Sequence, residues 1–204
     1  MTDRPVVLIG GGGHALVVAE SLHQGAELVG FYDDNPDAVL SKRGFPCLGP
    51  FSEIPPDLGP WYILALGNLP IRRVLLERLA GASTVGVTHA SAFVSPTAQI
   101  GRGVFVGPRA VIHTDALVHH HAIINSAAVV EHECVIGENT HVAPGAVLGG
   151  NVHVGPDTLV GLGSRVLPGI RIGAGCTIAA GAVVIRDVPD GHRVAGVPAR
   201  RMKD

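Results

Sequence analysis

From Val94 onward an aliphatic residue returns every six positions: Val94, Ile100, Val106, Ile112, Val118, Ile124, Val130, Ile136, Val142, Leu148, Val154, Val160, Val166, Ile172, Ile178 and Val184. Counting that residue as position one, position five is mostly small, as at Ala98, Ala110, Ala116, Ala122, Ala128, Cys134, Ala146, Ser164, Cys176 and Ala182. A period of six suits neither an α-helix nor one long strand. It suits short strands joined by turns and wound into a solenoid, one hexad to a side and three hexads to a triangular coil. Strand alternation then turns positions one and five inward and position six outward. Positions two to four form the corner. Glycine is frequent at position two (Gly101, Gly107, Gly137, Gly149, Gly155, Gly161, Gly173), where it is expected to relieve backbone strain.

The first ninety residues read differently. "VVLIGGGGHALVVAESL" gives a strand over Val6–Ile9, a glycine turn over Gly10–Gly13 and a helix. "AELVGFYDD" is a second strand ending at Asp33 and Asp34, and "WYILALGN", "PIRRVLLERLAG" and "STVGVTH" supply a further β-α-β. The expected organisation is a small Rossmann-like domain of about four strands at 1–88, then the coil with a C-terminal cap at 89–204. Gly10, Gly12 and Ala15 satisfy G-x-G-x-x-A with Asp33 about 20 residues on, as in dinucleotide-binding units. The segment is too short for two mononucleotide halves, so it reads as half a platform. Its glycine turn offers N–H groups to a phosphate or a base carbonyl, or serves only as a tight turn. Asp33 and Asp34 either touch a ligand or open the turn at "DDNP".

Composition narrows the classes. Net charge is −2, which leaves no basic surface on the scale nucleic acid requires. Aromatics are only 4 %, as a narrow coil filled with Val, Ile, Leu and Ala demands. Cys47, Cys134 and Cys176 form no CxxC pair and suggest free thiols in a reducing compartment. With no signal-like or membrane-length apolar run, a cytoplasmic protein without membrane insertion is expected.

The stretch "VVEHECVIGENTH" concentrates candidate chemistry. Glu131, His132 and Glu133 fall at positions two, three and four, facing outward from one corner, while Cys134 points into the core. His141 is at position six, on the face opposite that corner. Within one chain His132 and His141 cannot meet, so a shared site needs a neighbouring subunit, as in a trimer of prisms. Gly150 lies one full coil beyond His132 and stacks over it. "HHH" (His119–His121) occupies another corner; His113, His119 and Glu131 make a zinc site conceivable, although no metal is expected. Arg200, Arg201 and Lys203 either approach a ligand's phosphates or form a solvated tail.

The hexads resemble the hexapeptide-repeat acyltransferases, which implies a left-handed parallel β-helix. The combination of "GGGGHALVV", "DD", "NSAAVVEHECVIGENTHVAPGAVLGGNVHVG" and "GVPARRM" resembles one branch over nearly the whole chain: the sialic-acid O-acetyltransferases (NeuD-type) and nucleotide-aminosugar N-acetyltransferases (PglD-type). The resemblance implies His132 as catalytic base, Glu133 raising its basicity, and acetyl-CoA contacts at His141, Gly150, Leu162 and Ala180. It places nucleotide-sugar contacts at Gly12, Gly13, His14, Asp33, Asp34 and Asn125. The implied reaction is N-acetylation of a nucleotide-linked 4-amino-4,6-dideoxy sugar for surface glycans or glycoproteins, in a homotrimer with active sites between subunits. The chemistry is consistent: an amine attacking a thioester sheds a proton, imidazole titrates near neutral pH, and a neighbouring carboxylate favours its protonated form. A backbone N–H such as that of Gly150 suits the oxyanion. Sialic-acid O-acetylation is the nearest alternative. A γ-class carbonic anhydrase, which needs a histidine pair five residues apart that the repeat lacks, and a non-catalytic nucleotide-binding scaffold are remoter ones.

Overall fold

The computed structural model describes residues 4–22 and 26–202. An α/β domain comes first, with β1 (Arg4–Ile9), α1 (Gly13–Glu20), β2 (Ala26–Tyr32), β3 (Cys47–Gly49), β4 (Trp61–Leu64) and α2 (Leu69–Arg78). The strands form one parallel sheet in the order β3-β2-β1-β4. Alternation along β1 divides its side chains between two cores. Val6 and Leu8 pack with Ala15 and Val18 of α1, while Val7 and Ile9 pack with Leu75, Leu76 and Leu79 of α2 and the loop just after it. Asn68 starts α2 by accepting the Ile71 N–H at 3.1 Å, with Pro70 in the first turn, where no intrahelical donor is needed.

Two sequence expectations change here. The fourth strand of this sheet is β3, from "SKRGFPCLG", a stretch that carried no strand pattern. "STVGVTH" does not complete the α/β sheet; only Thr84 bridges to Tyr62. Val87–Thr88 pairs instead with Phe105–Val106, because the Val87 and His89 N–H groups find the coil carbonyls of Val104 and Val106.

The rest of the described chain is a three-faced parallel coil. Its first face holds Val87–Thr88, Phe105–Val106, Ile123–Ile124, His141–Val142, Leu159–Val160 and Thr177–Ile178. The second holds Phe93–Val94, Val111–Ile112, Val129–Val130, Val147–Leu148, Arg165–Val166 and Val183–Val184, and the third Gln99–Ile100, Leu117–Val118, Val135–Ile136, His153–Val154 and Arg171–Ile172. Partners lie one coil apart, as in Val129↔Val147, and residues at positions one and five fill a continuous core. A short antiparallel pair, Arg193–Ala195 with Arg200–Arg201, ends the first face. Arg200 and Arg201 therefore sit in this cap, while Lys203 lies outside the described residues.

The corners also differ from expectation. The left-handed residue is at position four, where Arg109, Asp115, His121, Ala127, Glu133, Asn139, Asn151, Asp157 and the glycines of the remaining coils have φ between 54° and 75°. The position-two glycines answer to stacking rather than strain. A Cβ on Gly137 would lie 2.5 Å from Pro156 N, and one on Gly161 would lie 2.4 Å from Ile178 O. At these corners the next coil leaves no room for a Cβ, whereas His113, His119, Glu131 and Ala143 hold position two elsewhere.

The α/β domain sits on the first face. Phe105 and Ile123, outward by register, are nonetheless buried in one core with Ala15, Val18 and Ile63. Each such side chain contributes roughly 1.5–3 kcal/mol by leaving water. Beside them, Arg73 of α2 pairs with Glu138 at 2.7 Å and Asp157 at 2.9 Å on the corner between third and first faces. Among the described residues no helix is long and apolar enough to cross a membrane.

Candidate active site

His132 and Glu133 occupy the corner between the second and third faces. His132 Nδ1 lies 3.0 Å from Glu133 Oε2, with 58 % and 64 % of the two side chains exposed. This contact assigns the Nδ1 proton as donor to the carboxylate and leaves the Nε2 lone pair free. Glu133 holds the left-handed corner position, φ 60°, and its N–H is fixed to Thr114 O at 3.0 Å. Beneath the imidazole lies Gly150: a Cβ there would meet His132 Cε1 and Nε2 at 2.5 Å. The ring thus packs over Gly150, which is buried. Cys134 points inward as expected. Its Sγ lies 3.2 Å from Gly149 O, and burial pushes the thiol up to about 11, which removes it as a nucleophile near neutral pH.

A second constellation forms where the two domains meet. Asp33 Oδ2 accepts the Gly11 N–H at 2.7 Å and Oδ1 accepts the Asn35 N–H at 2.8 Å; Asp34 Oδ1 accepts the Phe51 N–H at 2.9 Å. Both carboxylates thus organise the loops around the glycine turn. Gly11 is confined, since its Cβ would strike the Phe31 ring at 2.3 Å, whereas Gly12 and Gly13 face open space. No side chain caps α1 and no acidic residue sits in its first turn, so its N-terminal dipole and N–H groups stay available to an anion.

His14, next in sequence, meets Phe105 edge-on at 5.1 Å and His141 at a ring separation of 6.4 Å. His141 Nε2 is 3.0 Å from Asn125 Nδ2, which assigns the nitrogen as acceptor. Among the described residues His14 Nε2 is buried without a hydrogen-bond partner, and His141 Nδ1 makes no hydrogen bond of good geometry, although the Gly67 backbone lies close enough to favour its protonated form. Burial first, then the charges around it, lowers His14 to about 3, and burial followed by Arg72 lowers His141 to about 4. Both imidazoles are neutral at neutral pH and offer polar atoms to whatever enters the junction. Leu162, 59 % exposed, and Ala180, also exposed, lie at the corner between first and second faces, in coils above Asn125.

The structure therefore gathers the expected residues into separate groups. His132, Glu133 and Gly150 form one; Gly12, Gly13, His14, Asn125 and His141 form another, with Asp33 and Asp34 behind the glycine turn; Leu162 and Ala180 lie higher on the edge that carries Asn125. The first stands on the corner opposite the face that carries His141. Of the remaining histidines, His113 approaches Glu131 at 4.0 Å, and His120 Nδ1 accepts the Arg102 N–H at 2.9 Å. His121 lies parallel to Tyr62, and its buried Nδ1 has no hydrogen-bond partner among the described residues. Sequence reasoning missed Gly67, which lies against the His141 ring, and the buried Arg72. "RR" on a polar helix face gave no sign that one arginine turns inward.

Two family models match the chain: the PglD N-terminal domain at residues 5–79 and the bacterial transferase hexapeptide (six repeats) at residues 151–186. No curated protein sequence matches significantly. A histidine-substituted form of perosamine N-acetyltransferase from Caulobacter crescentus, solved with CoA and GDP-perosamine, is 40 % identical, covers 98 % of this chain and 97 % of its own, and superposes with TM-score 0.91. The acetyltransferase domain of PglB from Neisseria gonorrhoeae FA1090 is 34 % identical over 98 % of this chain and 100 % of its own, with TM-score 0.88. WeeI from Acinetobacter baumannii AYE is 26 % identical over 98 % and 100 %, with TM-score 0.87. With relatives this similar over nearly its whole length, the chain belongs to the PglD-type hexapeptide acetyltransferases, built as an α/β domain followed by a left-handed parallel β-helix.

Proposed function

We propose that the chain transfers an acetyl group from acetyl-CoA to the amine of a nucleotide-linked amino sugar, with His132 as general base. The observation that carries this is the His132–Glu133 contact of 3.0 Å on an exposed corner, in a chain whose other domain holds an open glycine turn at a helix N-terminus. The relative bound to CoA and GDP-perosamine supports the same pair of ligands.

The amine nitrogen attacks the thioester carbonyl and forms the C–N bond. His132 Nε2 takes the proton shed by nitrogen, while Glu133 holds the Nδ1 proton and stabilises the imidazolium that forms. As the tetrahedral intermediate collapses, the C–S bond breaks and the imidazolium returns the proton to the departing CoA sulfur. The Gly150 N–H, one coil along from His132, suits the oxyanion, an interaction worth about 3 kcal/mol. The Gly12–Gly13 turn suits the diphosphate, with His14 and Asn125 toward the sugar, and His141, Leu162 and Ala180 toward acetyl-CoA. Leu162 fits that role, because an exposed leucine on a corner offers apolar surface to a long thiol arm.

The site is completed in a homotrimer. On the second face Val111, Val129, Val147 and Val183 point outward below and above Arg165, and Phe93 is 52 % exposed. Such an apolar column is suited to a second prism. Side-by-side packing brings one subunit's His132 corner toward the next subunit's first face, where His14 and His141 stand.

The test is thiol release from acetyl-CoA in the presence of UDP-, GDP- and dTDP-linked 4-amino sugars, with CMP-sialic acid and sialic acid alongside. Release with one amino sugar supports the proposal and names the nucleotide. Release only with sialic acid replaces it with O-acetylation, and no release with any acceptor refutes both.

A further inference from the structure

Arg72 is 1 % exposed, yet among the described residues no carboxylate pairs with it. Its guanidinium is spent on main chain and one amide. Nη1 donates to Leu64 O and Leu66 O, each at 3.1 Å, Nε donates to Asn139 Oδ1 at 2.8 Å, and Nη2 donates to the His121 carbonyl. Asn139 continues the network to Leu69 O at 3.2 Å and Asp157 Oδ1 at 2.7 Å. One side chain thus ties the end of β4 to two successive corners of the coil.

Burying a guanidinium is costly, and a buried charge is weak evidence for a stability role. Anchoring α2 does not require it, since Arg73 already pairs with Glu138 and Asp157. Arg72 is the side chain that holds the Leu64 and Leu66 carbonyls in the turn from Leu64 to Asn68, whose Ala65 N–H is separately bonded to Ile9 O at 2.7 Å. That turn holds Gly67 against the His141 imidazole, where a Cβ would lie 3.6 Å from Cε1. Its opposite side is bounded by Asn125 on the coil.

We infer that Arg72 is a positioning residue: its guanidinium locks the Leu64–Asn68 turn onto His141 and thereby sets the junction between the α/β domain and the coil. It touches no reacting atom. Its fixed positive charge also acts on His14 and His141, in each case after burial, in the direction that keeps them neutral. The catalytic consequence rests on the reading of this junction as the sugar and acetyl-CoA site; the structural consequence does not.

The experiment is hydrogen exchange on the unliganded protein with Arg72→Lys and Arg72→Ala. Lysine keeps the charge but cannot fork to four acceptors. Exchange in residues 64–68 and 139–142 rises roughly tenfold or more in both variants, while the upper coils, 147–184, keep wild-type protection. Millimolar guanidinium restores the protection of Arg72→Ala. In turnover, kcat/KM for the amino sugar falls roughly tenfold in Arg72→Lys. Wild-type exchange at 64–68 overturns the inference, and so does a uniform rise along the whole chain, the mark of a merely structural role. The expected exchange pattern with unaltered sugar kinetics upholds the positioning of the turn and refutes the placement of the substrate.

Discussion

Substituting Gly150 by alanine separates the site from the fold. Gly150 is not among the residues of positive φ, so alanine meets no backbone obstacle. In such a position Gly→Ala stabilises by about 0.4–1 kcal/mol through the unfolded chain. The added Cβ, however, stands 2.5 Å from His132 Cε1 and Nε2, 0.9 Å short of the 3.4 Å at which ordinary contact begins. The imidazole is mostly exposed and yields outward, so the fold is spared and the base is displaced by about 1 Å. A displacement of that size costs on the order of a hundredfold in rate. The assay is kcat and KM for both substrates together with Tm. The expected result is kcat down roughly a hundredfold with Tm unchanged or slightly raised. Wild-type kcat refutes the seating of His132 on Gly150, and a fall in Tm matching the loss of activity refutes the separation of site from fold.

Two further outcomes follow from the same geometry. His14 and His141 have folded values of about 3 and about 4 against an ordinary 6.5. The unfolded chain therefore takes up these protons first, and stability is lost as pH falls below about 6.5, flattening near the folded values. Urea unfolding across this range should show a smaller acid slope in the double variant His14→Gln, His141→Asn than in wild type, and equal slopes would contradict the burial of neutral imidazoles. On the second face, Val129→Glu places a carboxylate in the apolar column; sedimentation should show monomers with little activity, whereas an active trimer would remove this face from the subunit contact.

The coil was legible because its period is a steric requirement: positions one and five must fit a narrow prism, and the sequence repeats that demand in every hexad. The shared corner of His132 and Glu133 and the stacking of Gly150 over His132 followed from the same count, since a period of eighteen stacks residue on residue, while their roles came from the resemblance to the family. What the count could not supply was contact between domains. It set Phe105 and Ile123 outward, but apolar residues hold most outward positions, so nothing marked the two beneath the α/β domain. For the same reason the meeting of His14 with His141 was hidden, although each was singled out separately. The left-handed corner position was missed because Asn, Asp, His, Glu, Arg and Ala share it with glycine, held there by stacking bonds such as Glu133 N to Thr114 O. Arg72 was invisible for a different reason: its partners are main-chain carbonyls, which leave no trace in residue type.

The most direct measurement is steady-state turnover of His132→Ala with acetyl-CoA and the amino sugar that the wild type accepts, beside CoA binding by calorimetry. Loss of the base removes about 10²–10⁴-fold in kcat, Glu133→Gln loses less, and both variants keep wild-type CoA affinity. His132→Ala turning over within a few fold of wild type would contradict the assignment of His132 as the group that takes the amine proton.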